Sequence, residues 1–167
     1  MRLRDATLED IPLLRHWDAQ PHVIASGAGS WEWDEEIPDR VAWRAMLIAE
    51  AEGRLVGFLQ IIDPALETTQ YWGDCGPGLR AIDIWIGALE DTGRGLGTKM
   101  MQASLARCFA DETVHAVLID PQANNTAAHR FYRRLGFKFV REQTFGKDDC
   151  FVFQLTRADW RPGDQHA

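Results

Sequence analysis

The stretch LEDTGRGLGTKMM, from Leu89 to Met101, limits the possible folds of this chain more than any other segment. Gly93, Gly95 and Gly97 lead straight into an apolar run with helical spacing, so a tight glycine turn has to deliver the chain into a helix N-terminus. Unpaired N–H groups at such a terminus suit an anion. A P-loop is excluded, because GxxxxGK[ST] is absent and Lys99 follows Thr98 instead of preceding it. A dinucleotide fingerprint needs GxGxxG, whereas these glycines run GxGxG; Asp120, closing the next apolar run, keeps that reading open. Glycines that merely let a helix pack closely are an equal alternative at this point.

Periodicity on either side of the turn predicts the order β-α-α-β-β-α-β-α-β-β, a mixed α/β layer fold. MRLRDA reads as a first strand. Thr7 then caps a helix with Asp10 at the capping-box position, and Leu8, Ile11, Leu14 and Trp17 form its apolar face. GAGSWEWDEEIPD reads as a loop, and RVAWRAMLIAEAEG as a second helix ended by Gly53. RLVGFLQIID is a strand closed by Asp63-Pro64. RAIDIWIG is another, with Ile82, Ile84 and Ile86 on one face and Asp83 and Trp85 on the other. A helix from Leu96 to Ala110, a central parallel strand VHAVLID, a helix ended by Gly136 and a hairpin around GKDD complete the chain.

Bulk properties narrow the function. The 167 residues suit a single domain spanning 1–167, and 46% hydrophobic with 26% charged residues is ordinary for a globular protein. A net charge of −7 argues against nucleic-acid binding and is compatible with a cationic small substrate, although simple solubility is the better explanation of it. No apolar run is long enough for a membrane helix, and the charged start does not read as a signal peptide. Cys75, Cys108 and Cys150 are an odd, scattered set, which implies reduced thiols in the cytoplasm and neither a disulfide frame nor a metal site.

A second motif, NNTAAHRFYRRLGF, joins the glycine turn. Asn125 can cap a helix or bind an amide, and Ala128 and Tyr132, four residues apart, flank one shallow groove. An ordinary amphipathic helix accounts for Phe131, Leu135 and Gly136, but not for a tyrosine and a small residue at that spacing. The pair GRGLGT and NNTAAHRFYRRLGF, one helix and one strand apart, resembles the GNAT superfamily of acetyl-CoA-dependent N-acetyltransferases. Residues 79–157 are similar in particular to aminoglycoside 6'-N-acetyltransferases, with the block from Asp120 to Asn125 the most specific part.

The resemblance implies a GNAT-type α/β fold: a mixed, mostly antiparallel central sheet flanked by helices. It implies acetyl-CoA as co-substrate, with no metal, a small-molecule amine as acceptor, and possible homodimers. Its glycine loop, Arg94, Gly95, Leu96, Gly97 and Thr98, would hold the pyrophosphate through backbone N–H groups. Main-chain groups of Trp85 and Ile86, with Asn125 and Ala128, would receive the pantetheine arm. Asp83 would orient the ammonium and take its proton, and Tyr132 would protonate the departing thiolate. Asp120, Asp149 and Trp33 would join Asp83 in binding the acceptor, most closely the 6'-amine of an aminoglycoside; a GNAT acting on another small amine, such as a polyamine or siderophore-precursor amine, and a non-catalytic acetyl-CoA-binding module are the alternatives. Three departures stand out: Thr92 replaces the family's usual Gln or Arg, Asp83-Ile84-Trp85 replaces the Asp-Gln-Ser of some aminoglycoside enzymes, and HVIASG from His22 to Gly27 replaces a HIVEWW-like segment, its tryptophans displaced to Trp31 and Trp33.

Overall fold

The computed structural model describes residues 1–28 and 31–162. One seven-stranded sheet runs through the molecule in the order β1-β2-β3-β4-β5-β7-β6. Its strands are β1 (Arg2–Asp5), β2 (Arg44–Ala51), β3 (Arg54–Ile62), β4 (Leu79–Ile86), β5 (Ala116–Ile119), β6 (Lys138–Phe145) and β7 (Asp148–Thr156). Every neighbouring pair is antiparallel except β4 and β5. The helices are α1 (Ile11–Asp18), α2 (Pro21–Ala25), α3 (Trp33–Glu36), α4 (Leu96–Phe109) and α5 (Thr126–Arg134).

The segment 40–53, expected to be a helix, is instead a short turn leading into β2, β2 itself and the turn that follows it. Glu52 and Gly53 both have positive φ, +53° and +76°, as a two-residue hairpin turn of the primed kind requires. The apolar residues of β2 run consecutively because both faces are covered. Leu47 and Ala49 pack in the cluster with Met100 and Met101 of α4, and Ile48 in the cluster with Leu14 and Trp33. Leu8 also departs from expectation: it is 61% exposed, and Ile11, Leu14 and Trp17 alone form the buried face of α1. Within the segment read as a loop, Trp33–Glu36 is a short helix, while Gly29 and Ser30 lie outside the described residues.

The parallel ladder between β4 and β5 lasts only three pairs, Leu79↔Ala116, Arg80↔Val117 and Ala81↔Leu118. β4 continues to Ile86, paired with β3 on one side and without a ladder partner on the other. The sheet therefore opens at Ile82. Ile82, Ile84 and Ile86 face the cluster beneath α4 and α5, while Trp85 joins the aromatic cluster beneath α1 and α3. Trp17 lies directly over Gly87, where a Cβ would come within 2.0 Å of the indole; only glycine fits at the end of this strand.

Candidate active site

A cavity of about 980 Å³ occupies the opening between β4 and β5. The glycine turn and the N-terminus of α4 form one end of it. Gly95 is left-handed at φ +78°, which lets the chain turn sharply into the helix. The first helical hydrogen bond runs from Lys99 N–H to the Gly95 carbonyl at 3.2 Å, so the N–H groups before Lys99 stand free of the ladder. Gly93, Gly95, Gly97 and Thr98 line the cavity, with Phe131 beneath Gly97. Arg94 and Leu96 do not line it. The Arg94 guanidinium is exposed and reaches Asp91 at 3.4 Å. Asp91 is buried and also binds Arg54 at 3.0 Å, and that pairing holds its carboxyl below the usual carboxylate range.

On the other side of the opening, Asn125 caps α5, its Oδ1 accepting from the Ala128 N–H at 3.1 Å. Ala128 and Tyr132, one turn apart, both line the cavity. Burial, and then the carboxyls of Asp83 and Asp120, push the Tyr132 phenol well above its ordinary pKa. Along β4, Trp85 and Ile86 line the cavity; the Ile86 carbonyl accepts a 2.9 Å hydrogen bond from His22 Nε2.

The floor is acidic. Asp83 sits opposite Gln60 in the β3–β4 register, and the Gln60 amide donates to its Oδ2 at 2.5 Å. Burial drives Asp83 towards its neutral form, and the Gln60 bond opposes this. Asp120, at the end of β5, is pushed up to about 7, first by burial and then by the Asp83 charge. Tyr71 donates to Asp120 Oδ2 at 2.6 Å, which partly offsets that rise. Two raised carboxyls in a partly apolar cleft, Asp83 through its burial and Asp120 through burial and the Asp83 charge, make a receptor for a positive group, since a cation favours the charged form of both.

Two residues expected at the acceptor wall lie elsewhere. Trp33 is 1% exposed and buried in the core, where its Nε1 donates to Asp18 at 2.6 Å; Trp31, stacked on it at 5.1 Å, lines the cavity instead. Asp149 is exposed, its Oδ1 bound by the Thr144 hydroxyl at 2.7 Å. Strand alternation turns its neighbours Asp148 and Cys150 towards the cavity. Burial, and then Asp120, push the Cys150 thiol up to about 11, which keeps it a poor nucleophile.

Gln60 and Tyr71 were not foreseen. Gln60 could have been found as the one amide within the apolar strand RLVGFLQII, and Tyr71 as one of only two tyrosines in the chain, the other being Tyr132. Among the described residues, no group of three acidic, histidine or cysteine side chains could hold a metal ion, and no helix is long and apolar enough to cross a membrane.

Residues 6–145 match the family model described as Acetyltransferase (GNAT) domain. Aminoglycoside N(6')-acetyltransferase type 1 of Klebsiella pneumoniae is 27% identical over 146 residues, covering 81% of this chain and 73% of the relative. Lysine N-acyltransferase MbtK of Mycolicibacterium paratuberculosis is 30% identical over 155 residues, covering 84% of this chain and 66% of the relative. Among solved structures, aminoglycoside acetyltransferase AAC(6')-Ib in complex with coenzyme A and kanamycin superposes with a TM-score of 0.84 at 25% identity, covering 94% of this chain and 95% of that one. With the split between β4 and β5, the glycine turn and the capped α5 all in place, this chain belongs to the GNAT acetyltransferase family.

Proposed function

We propose that this chain transfers the acetyl group of acetyl-CoA to a primary amine of a polycationic small molecule, the 6'-amine of an aminoglycoside. The observation that carries the reading is the acid pair Asp83 and Asp120, set at the opening of the sheet between the glycine turn and an aromatic wall. A polycation favours the charged form of two carboxyls that burial otherwise drives towards neutrality, and the Trp31 and Trp85 rings suit the faces of a cationic sugar.

Acetyl-CoA supplies an activated acyl group, and the residues present fit it. The free N–H groups from Gly95 to Thr98 and the positive end of α4 suit its pyrophosphate. The unpaired edge of β4 beyond Ala81 offers main-chain groups to the pantetheine arm and the acetyl carbonyl. Asp83 binds the ammonium, takes one proton and leaves a neutral amine to attack directly. Tyr132, whose phenol is held protonated, gives a proton to the sulfur as the C–S bond breaks, and the phenolate regains one as the attacking nitrogen sheds its second proton to become the amide. Asp120 and Asp148 hold further amines of the acceptor. Under this reading the partners are small molecules in the cytoplasm, with no part for a nucleic acid, a membrane or a metal, and the chain can form a homodimer.

The test is product identity. Kanamycin incubated with the protein and acetyl-CoA is expected to gain one acetyl group by mass, at the 6' nitrogen by NMR. Acetylation at another nitrogen would overturn the aminoglycoside assignment. A second reading, in which the acceptor is a lysine-like amine, is favoured by the 30% identity to a lysine N-acyltransferase. Turnover of lysine derivatives without turnover of kanamycin would select it.

A further inference from the structure

Asp120 is held by a side chain that the transfer chemistry does not itself require. The Tyr71 hydroxyl donates to Asp120 Oδ2 at 2.6 Å, while its ring lies flat on Phe145, with centroids 4.3 Å and planes 5° apart. Trp72 packs edge-on against both rings. The loop carrying Tyr71 is fastened from inside by buried Glu67, whose carboxylate accepts from the Tyr71 N–H at 2.8 Å, the Thr69 N–H at 2.7 Å and the Thr69 hydroxyl at 2.5 Å. Gln70, one residue before Tyr71, has φ +53°. A left-handed non-glycine residue persists only where its surroundings over-determine it.

We infer that Tyr71 is a positioning residue for the acceptor: it commits one oxygen of Asp120, offers the other to a single ammonium, and so sets how strongly the site demands a second positive charge on its substrate. This rests on the amine-acetylation reading above. The other groups that bear on Asp120 are Asp83 from β4, Tyr132 from α5 and Cys150 from β7, with Asp148 on the same wall. None of these carries a positive charge. Tyr71 is the side chain that donates to Asp120 among the described residues. A donated O–H bond favours the carboxylate over the acid. Removing it makes Asp120 protonate at higher pH and frees it to rotate, so that an acceptor relying on two ammonium contacts suffers most.

The test is Tyr71→Phe, which keeps the stack on Phe145. In ligand-free protein the Asp120 carboxyl is followed by carbon-13 NMR, with Asp120→Asn assigning the signal. Its midpoint is expected to rise by about one pH unit. In steady state, KM for kanamycin is expected to rise about five- to tenfold near pH 6.5 with kcat little changed, and several-fold more than KM for a monoamine. Adding Tyr71→Phe to Asp120→Asn should then produce no further loss. An unmoved midpoint, a loss borne by kcat at every pH, or additive losses in the double variant would each overturn the inference. If the parent protein acetylates no amine, the functional reading falls, and the NMR titration still decides whether Tyr71 controls Asp120.

Discussion

Gln60 and Asp83 face one another as a register pair across β3 and β4, joined by a 2.5 Å bond from the Gln60 amide to Asp83 Oδ2. That bond is what favours the charged form of a carboxyl that its burial otherwise drives towards neutrality. Gln60 is itself buried, and its Oε1 has no partner among the described residues. The acid that the proposed chemistry depends on is therefore tuned by one neighbour on the adjacent strand.

Gln60→Leu removes the donor while keeping an apolar strand residue. A hydrogen bond to a charged group contributes about 1.5–3 kcal/mol, so kcat/KM is expected to fall about 10- to 100-fold, and its acidic limb to move to higher pH. Acetyl-CoA affinity, measured by calorimetry, should be unchanged. A pH profile with an unmoved acidic limb would count against this role for Gln60.

Asp120 links the site to stability. Its carboxyl is raised from the ordinary 3.8 to about 7 in the folded protein. A group raised on folding contributes stability at low pH that is lost as the pH rises through its folded value. The parent protein should therefore weaken between about pH 4 and pH 7, and Asp120→Asn should escape that loss. At roughly 1.4 kcal/mol per unit, the variant's advantage at pH 8 is at most about 4 kcal/mol, and it fades at pH 5. Thermal melts at the two pH values check this; an equal difference in Tm at both would contradict it.

The glycine turn makes two distinct predictions. Gly95→Val forces a β-branched residue into a φ of +78° and should lower Tm as well as coenzyme A affinity. Gly97 is different: an added Cβ meets only Phe131, at 3.6 Å. Gly97→Val should thus fold normally and weaken coenzyme A binding about tenfold by filling the anion cradle. Unchanged affinity in Gly97→Val, by calorimetry, would remove the turn from the donor site.

What could be read from the sequence follows a physical line. The donor end was legible, because a glycine turn, a helix start and an Asn cap are local and leave their pattern in consecutive residues. β2 was misread because Arg, Ala, Met and Glu favour helices and its apolar residues run together, not alternately. Only the Glu52-Gly53 turn marked it as half of a hairpin. The acceptor end depends on which way a side chain points, and there a slip of one or two residues decides the outcome. Asp149 turns outward where Asp148 turns in, and Trp33 enters the core while Trp31 meets the cavity. Tyr71 reaches Asp120 across 49 positions of sequence, a contact no local pattern encodes.

In the proposed reaction Asp83 drives acetyl transfer to a bound amine. The most direct test is coenzyme A release from acetyl-CoA in the presence of kanamycin, measured for the parent protein and Asp83→Asn, with acetyl-CoA affinity determined for both. Amine-dependent release by the parent is expected, with a loss of at least about 100-fold in the variant and affinities within a few-fold of one another. A variant that releases coenzyme A at the parental rate would contradict this role for Asp83.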